Sequence, residues 1–218
     1  MSKTAIILGA TGLTGGILLE KLLSDNHFSK VKLFSRSSVE RKHPKIEEHL
    51  LSLFELKKHS AEFRADVVFC CIGTTKANTP DKEKYRKIDY GIPVSAAKLC
   101  KQNKINTFIV ISAMGADAES SVFYNRVKGE MERDVLLQEI PNTYILQPSL
   151  IGGNRKEKRV GERFAKFFMS VFSFLTPNKY KIIEPETIAI AMRRLSKRGD
   201  NEIIITSDKI KEIAHDRN

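Results

Sequence analysis

Short apolar runs alternate along this chain with longer segments whose apolar residues recur every three or four positions. The short runs predict buried strands and the longer segments predict amphipathic helices. The predicted strands cover residues 5–8, 31–35, 48–53, 66–72, 107–111, 143–147 and 202–206. The predicted helices cover residues 17–23, 55–63, 84–103, 122–138 and 186–197, and Pro93 predicts a kink or a late start in the third of them. This alternation is typical of an α/β fold with a doubly wound parallel sheet.

A glycine-rich turn separates the first strand from the first helix. Gly9, Gly12 and Gly15 follow one another at a spacing of three residues. Such glycines allow a tight turn, a close approach of the backbone to a pyrophosphate, and close packing of helix on strand. The free N–H groups at the helix N-terminus would then face the phosphates. The predicted phosphate-binding residues are Gly9, Thr11, Gly12, Leu13, Thr14 and Gly15.

The end of the second strand carries a cation where dinucleotide folds commonly carry an acid. Arg36 and Ser37 follow the strand, and no acid appears before Glu40. A guanidinium pairs bidentately with a 2′-phosphate, which a carboxylate would repel. We therefore expect NADP rather than NAD, although arginines at strand ends are also common on plain surfaces.

The strand over 66–72 is a continuous apolar run, which suits a central parallel strand. It is followed by Gly73, Thr74 and Thr75. Ligands in open α/β sheets bind beyond the carboxyl ends of the strands. We therefore expect these three residues to line the far ribose of a bound dinucleotide.

A candidate catalytic set follows the strand over 107–111. Ser112 ends that strand, and Tyr124 and Lys128 lie one turn apart on the next helix. A neighbouring ammonium favours the phenolate and is expected to lower the pKa of Tyr124 toward neutrality. Tyr124 would then exchange a proton with a carbonyl oxygen, Lys128 would also hold ribose hydroxyls, and Ser112 would orient the substrate. An ordinary surface pair of tyrosine and lysine is the alternative.

Composition limits the class of protein. The chain has 218 residues, 41% hydrophobic and 29% charged, which suits one globular domain with a full core. No apolar run approaches the roughly 20 residues that span a membrane, and no secretory leader precedes the first strand. We expect a cytoplasmic protein without an integral membrane segment.

Charge and cysteine content narrow the ligand classes. The formal net charge is +11, which favours an anionic ligand or merely a basic surface, but the lysines are too dispersed to predict nucleic acid binding. Cys70, Cys71 and Cys100 form no metal-binding pattern with histidines, so we expect reduced thiols and no metal site.

The last part of the chain departs from the alternating pattern. Residues 155–159 are all charged, and an apolar stripe at helical spacing covers 164–175. The stripe indicates core or cap packing, with a membrane surface or an apolar substrate pocket as alternatives. We predict one domain over 1–218, in which 152–218 partly form a small C-terminal cap on the substrate side.

Together the motifs at 9–15, 70–75, 112–117 and 124–130 resemble those of atypical short-chain dehydrogenases/reductases, in the branch named for the HIV Tat-interacting oxidoreductase. The resemblance covers about residues 4–195. It implies a Rossmann fold that binds NADP(H), with catalytic positions at Ser112, Tyr124 and Lys128.

The same resemblance extends the predicted cofactor site. It adds Cys71 and Ile72 beside Gly73, and it makes 147–152 similar to the family's nicotinamide-side loop, with contacts at Pro148, Leu150 and Ile151. Gln147 and Ser149 stand where arginine and glycine are usual in that loop.

Three functional hypotheses follow. The first is an NADP(H)-dependent oxidoreductase acting on a small, partly apolar carbonyl or alcohol. The second is a non-catalytic module that binds NADP(H) and reports its redox state to a protein partner. Nucleotide-sugar epimerase chemistry is disfavoured, because the chain lacks the larger C-terminal domain used by such enzymes.

Overall fold

Seven parallel strands form one sheet in the order β3-β2-β1-β4-β5-β6-β7. The computed structural model describes residues 2–152 and 181–216. The strands are β1 Lys3–Leu8, β2 Phe28–Ser35, β3 Ile46–Leu50, β4 Val67–Cys70, β5 Thr107–Ile111, β6 Asn142–Gln147 and β7 Ile204–Thr206. The order reverses between β1 and β4, which opens a crevice at the carboxyl edge of the sheet. The predicted doubly wound parallel sheet is confirmed.

Helices cover both faces of the sheet. They are α1 Leu13–Leu23, α2 Lys82–Arg86, α3 Ile92–Gln102, α4 Phe123–Leu136, α5 Pro185–Arg198 and α6 Ser207–His215. A short 3₁₀ helix covers Leu53–His59, and a π-helical turn over Lys87–Gly91 joins α2 to α3. Within the described ranges, no helix is long and apolar enough to cross a membrane.

Alternate residues of the strands supply two separate cores. Ala5 and Ile7 of β1 face the core that is shared with α1, α5 and α6. Ile6 and Leu8 face the core that is shared with α3 and α4. Because strand side chains alternate between faces, apolar residues on both faces require helices on both sides.

Several predicted boundaries differ from the observed ones. The third strand begins two residues earlier than predicted and the following helix is a 3₁₀ helix, because the polar residues there give only weak periodicity. The helix predicted over 84–103 is interrupted by the π-helical turn, and Pro93 lies in the first turn of α3 after that interruption. Helix α6 was not predicted from the sequence.

Residues 181–216 belong to the sheet and its core. Strand β7 pairs in parallel with β6, and α5 packs on α1 through buried Ile188 and Met192. These residues therefore serve the sheet and its core, and a cap formed by part of 152–218 stays a prediction. The rest of that prediction, including the apolar stripe over 164–175, falls on 153–180 and lies outside the described residues.

Candidate functional site

The glycine turn lies at the carboxyl end of β1, directly at the reversal of strand order. Gly9 has φ of +90°, a conformation that L side chains rarely adopt. The Gly12 N–H donates to the Gly9 carbonyl at 3.0 Å, and Gly12 then precedes the first turn of α1. The turn thereby points the N-terminus of α1 along the carboxyl edge of the sheet.

The backbone of this turn fits a phosphate-binding role. A Cβ on Gly15 would lie 2.1 Å from the Gly9 carbonyl oxygen, so only glycine lets α1 approach so closely. Thr11, Gly12 and Leu13 are exposed, whereas Thr14 is buried. The first turn of α1 carries no acidic residue. Its free N–H groups and the positive end of the helix dipole are therefore available to an anion.

Arg36 and Ser37 lie just beyond β2, at the same edge of the sheet. Both are exposed. The Ser35 hydroxyl donates to the Ser37 carbonyl at 2.7 Å, which fixes the chain after the strand. By contrast, Arg41 pairs with Glu20 at 3.3 Å. Arg36 has no side-chain partner among the described residues and is therefore available to an outside anion.

The loop after β4 connects the glycine turn to the catalytic candidates. Cys71 donates its N–H to the Leu8 carbonyl at 2.9 Å, and its own carbonyl oxygen would be 3.0 Å from a Cβ on Gly9. Farther along, a Cβ on Gly73 would lie 4.0 Å from Nζ of Lys128. The chain Cys71–Gly73 therefore borders the turn on one side and the lysine on the other.

The remaining side chains of this loop include threonines, two of whose hydroxyls contact each other, and cysteines with unreactive thiols. The hydroxyls of Thr74 and Thr79 are 2.9 Å apart, and Thr75 is exposed. Burial raises the pKa of the Cys70 thiol to about 12, and burial also raises the pKa of Cys71. The three cysteines are free, as predicted.

Lys128 is buried and paired with an acid that the sequence analysis did not select. Its Nζ lies 2.9 Å from Oδ1 of Asp89, and their side chains are 4% and 0% exposed. Burial by itself would lower the pKa of Lys128, but Asp89 and Tyr124 reverse the direction and raise it. The lysine therefore carries its charge at neutral pH in spite of its burial.

Tyr124 lies at the mouth of the site, with 40% of its surface exposed. Its ring meets Tyr85 edge-on, with centroids 6.4 Å apart. Partial burial raises the pKa of the phenol; Lys128 acts in the lowering direction and Asp89 in the raising direction. The expectation of a lowered pKa is wrong, because burial, together with Asp89, outweighs the charge of Lys128.

Ser112 does follow the end of β5, and its hydroxyl is engaged. It donates to Oε1 of Glu132, a buried acid one turn beyond Lys128 on α4. Gln147 of β6 donates to both oxygens of the same carboxylate, at 3.1 and 2.9 Å. Burial raises the pKa of Glu132, against the lowering effect of the two hydrogen-bonding side chains and of Lys128.

The loop after β6 closes the far side of the edge. The Met114 N–H donates to the Pro148 carbonyl at 2.9 Å, and Ile151 bridges to Ile183. Ser149 donates to the Lys181 carbonyl at 2.6 Å. Leu150 and Ile151 are exposed beside this bridge. All predicted site residues therefore lie at one edge of the sheet, and their individual roles stay predictions.

Two functional candidates, Asp89 and Glu132, were missed from the sequence. Glu132 lies on a helix that also buries apolar residues, and Asp89 lies four residues after the buried Tyr85. An acid at the spacing of the buried positions was the available signal, since charged residues are rarely buried without a partner. The interruption of regular α-helix at Lys87–Gly91 gave no signal in the sequence.

A protein family and several curated proteins match the sequence of this chain. A model of the family described as NAD(P)H-binding matches residues 9–142. The mitochondrial protein FMP52 of Debaryomyces hansenii is 31% identical over 212 residues, which cover 92% of this chain and 92% of that protein. The protein HTATIP2 of Rattus norvegicus is 28% identical over 212 residues, covering 95% of this chain and 87% of that protein. These matches confirm the resemblance predicted from the motifs.

Two solved enzyme structures share the fold. UDP-glucose 4-epimerase of Thermotoga maritima aligns with a TM-score of 0.70 at 15% identity, covering 97% of this chain and 81% of that one. WbmG of Bordetella bronchiseptica, solved with NAD, aligns with a TM-score of 0.69 at 11% identity, covering 94% and 72%. At such identities the likeness concerns the fold alone.

The names of the fungal relatives correct one expectation. The FMP52 proteins of Debaryomyces hansenii, Eremothecium gossypii and Candida albicans are all named as mitochondrial. The predicted cytoplasmic location, which rested only on the lack of a recognisable leader, is therefore wrong as an inference from the sequence.

Proposed function

This chain belongs to the NAD(P)H-binding family, and from that premise we propose that it is an NADP(H)-dependent oxidoreductase. Its substrate would be a small, partly apolar carbonyl compound or the matching alcohol. The family assignment and the Rossmann sheet give the coarser statement, an NAD(P)-binding protein with an oxidoreductase-like fold. The reaction, the site residues and the preference for NADP are the proposal.

One observation carries this proposal: the loop after β4 touches both the glycine turn and the candidate catalytic lysine. The Cys71 carbonyl borders Gly9, and the Lys128 ammonium borders Gly73. A dinucleotide with its pyrophosphate at the N-terminus of α1 would run along this loop toward Lys128 and Tyr124. Phosphate binding and proton transfer would thus take place at the same carboxyl edge of the sheet.

When bound, the nicotinamide would supply or accept the hydride. In the direction of reduction, Tyr124 would donate its phenolic proton to the carbonyl oxygen of the substrate. The raised pKa of Tyr124 supports this direction, because the phenol holds its proton at neutral pH. The Lys128 ammonium, held beside Gly73, would donate to the ribose hydroxyls and limit their movement.

Glu132 would decide whether Ser112 is available to the substrate. An ionised Glu132 accepts a hydrogen bond from the Ser112 hydroxyl. A protonated Glu132 would instead donate to the serine oxygen, so that the hydroxyl proton could reach the substrate oxygen. Burial raises the pKa of Glu132 and therefore acts toward this form.

The preference for NADP rests on Arg36. It is exposed just beyond β2, the strand that pairs with β1, and the glycine turn follows β1 at the same edge of the sheet. A guanidinium there would pair with the 2′-phosphate of NADP, whereas NAD offers only hydroxyls.

The first experiment asks which nucleotide the purified protein holds and which it binds. Mass spectrometry of the denatured protein would identify a copurified nucleotide, and fluorescence titration with NADPH and NADH would give the two dissociation constants. We expect NADPH to bind more tightly. If neither NADPH nor NADH binds, the proposal is refuted.

The second experiment tests catalysis with a matched pair of variants. Tyr124→Phe should bind NADPH normally and lower turnover in a panel of aldehydes and ketones by about 10²–10⁴-fold, the usual contribution of a general acid. Tyr144→Phe is the control, since its hydroxyl contacts the Asp200 backbone, away from the carboxyl edge. Equal turnover in Tyr124→Phe and Tyr144→Phe would contradict the assignment.

A redox-sensing module remains the second candidate. Its support is that the Ser112 hydroxyl is already bonded to Glu132 and that the pKa of Tyr124 is raised rather than lowered. This candidate predicts tight binding of NADPH with no turnover in wild-type protein across the same panel. Any turnover that depends on Tyr124 would exclude it.

A further inference from the structure

The carboxylate of Asp89 has two partners on opposite sides of the candidate site. Its Oδ1 lies 2.9 Å from Nζ of Lys128, and its Oδ2 accepts the Thr74 N–H at 2.9 Å. Asp89 is fully buried. A single carboxylate therefore joins the lysine of α4 to the loop after β4, where the dinucleotide would lie.

The backbone around Asp89 is unusual for a helix. Asp89 occupies the middle of the π-helical turn Lys87–Gly91, between α2 and α3. One extra residue per turn changes which side chains face inward, and such turns are frequent at functional sites. Ile88 and Tyr90 on either side remain half-buried, so Asp89 alone of these three is wholly directed into the site.

Burial of the Asp89–Lys128 ion pair costs free energy. Two ions lose most of their hydration here, and replacing such pairs by apolar residues is often neutral or stabilising. The ion pair provides an ammonium group with a fixed position next to the Gly73 backbone. A lysine without a counter-ion in this position would be driven toward the neutral amine.

We propose that Asp89 is a positioning residue, which holds Lys128 charged and in register with the Gly73–Thr74 segment so that the ammonium meets the ribose of the bound nucleotide. This inference rests on the proposed binding of NADP(H). Asp89 touches neither substrate nor cofactor in this proposal and acts through Lys128 and the Thr74 amide.

The pH dependence of nucleotide binding provides a test that a purely structural role would not affect. In Asp89→Asn the side-chain oxygen can still accept the Thr74 N–H, but Lys128 loses its counter-ion. Burial then lowers the pKa of Lys128, so the ammonium loses its proton as the pH rises. Affinity for NADPH should fall by about tenfold between about pH 6.5 and about pH 9 in this variant, the loss of one charged hydrogen bond. Wild-type affinity should stay nearly constant.

Other titratable groups face the pair, and a second background separates their effects. They are Tyr124 and Glu132 on α4, Cys70 on β4 and, next to Tyr124, Tyr85 on α2. In a Lys128→Met background none of them can transmit the effect of Asp89 through the ammonium. We expect Asp89→Asn to change NADPH affinity by less than about twofold there, at every pH.

A matched control removes a carboxylate between the same two helical segments without touching the site. Asp134 of α4 accepts the Tyr90 hydroxyl at 2.5 Å and pairs with Arg133 at the surface. Asp134→Asn should leave the pH dependence of NADPH binding as in wild type. The same pH dependence in Asp89→Asn as in wild type would overturn the proposal, as would an equal loss of affinity in the Lys128→Met background.

Two further outcomes are kept apart by the design. If wild-type protein binds neither NADPH nor NADH, the proposed function fails irrespective of Asp89. If Asp89→Asn alone does not fold, NADPH affinity is compared between Lys128→Met and the double variant Asp89→Asn/Lys128→Met. In the double variant, removal of the lysine also removes the charge that Asp89→Asn leaves unpaired. A further loss of NADPH affinity above about twofold in the double variant would overturn the proposal.

Discussion

At the level of single residues, the carboxyl edge combines cations that are compensated with others that are not. Lys128 is paired with Asp89, and Arg41 is paired with Glu20. Arg36 is exposed and has no such partner among the described residues. A buried paired cation keeps its position, whereas an exposed unpaired one is free to bind an anionic ligand.

Arg36→Asp should therefore discriminate between the two nucleotides. We expect NADPH affinity to fall by about tenfold or more and NADH affinity to change much less, because only NADPH carries a 2′-phosphate. Fluorescence titrations with both nucleotides measure the two ratios. Arg41→Asp changes the net charge equally and is the control, and an equal effect of Arg36→Asp on both nucleotides would contradict the preference for NADP.

Glu132 predicts a particular pH dependence of stability. A carboxyl whose pKa is raised in the folded state binds more protons there than in the unfolded chain, so its contribution to stability is lost as the pH rises. In Glu132→Gln that loss is absent. The free energy of unfolding of Glu132→Gln relative to wild type should therefore increase from about pH 5 to about pH 8.

Urea unfolding of the two proteins at both pH values measures this difference. The amide introduced by Glu132→Gln has one oxygen and cannot accept both hydrogen bonds that Glu132 accepts from Gln147, so a constant offset is expected as well. Only the change with pH tests the burial of the charge. A difference that decreases with pH would mean that Glu132 stays ionised and well paired in the fold.

At the level of elements, α4 is held against the loop after β5 by the absence of one side chain. A Cβ on Gly129 would lie 2.2 Å from the Ala118 nitrogen and from the Asp117 carbonyl carbon. The next residue back along the helix is Lys128, so this contact also fixes the catalytic candidates. From the sequence alone, Gly129 is only a residue of low helix propensity inside a predicted helix.

Gly129→Ala should consequently destabilise the protein despite the better helix propensity of alanine. We expect a loss of about 1–3 kcal/mol in the free energy of unfolding, since backbone has to move. Gly91→Ala is the matched control, because its Cβ would have no contact nearer than 3.9 Å. Urea unfolding distinguishes the two, and equal stability of both variants would contradict the close approach of α4 to the loop.

At the level of the whole molecule, the C-terminal segment completes the sheet and its core. Strand β7 extends the sheet beyond β6, and α5 covers the face that α1 also covers. Ion pairs at the amino edge support the same contact, since Asp25 is paired with Arg193 at 2.8 Å and with Lys197 at 3.0 Å. The segment therefore contributes to global stability.

Ile188→Ala tests this contribution. Ile188 is completely buried between α5 and the sheet, and its truncation should cost about 2–5 kcal/mol in the free energy of unfolding. Ile203→Ala, at a half-exposed position before β7, should cost less than about 1 kcal/mol. Chemical denaturation of both variants gives the comparison, and a small cost at Ile188 would indicate that α5 is only peripheral to the core.

The sequence by itself determined the alternation of strands and helices, the glycine turn and the sheet edge at which the site residues gather. These follow from local periodicity and from the geometry of parallel strands, which brings all carboxyl ends to one edge. Only the tertiary structure decided that Asp89 neutralises Lys128, that Glu132 engages Ser112 and that residues 181–216 join the core. Such pairings depend on the meeting of distant segments, which spacing along the chain does not determine.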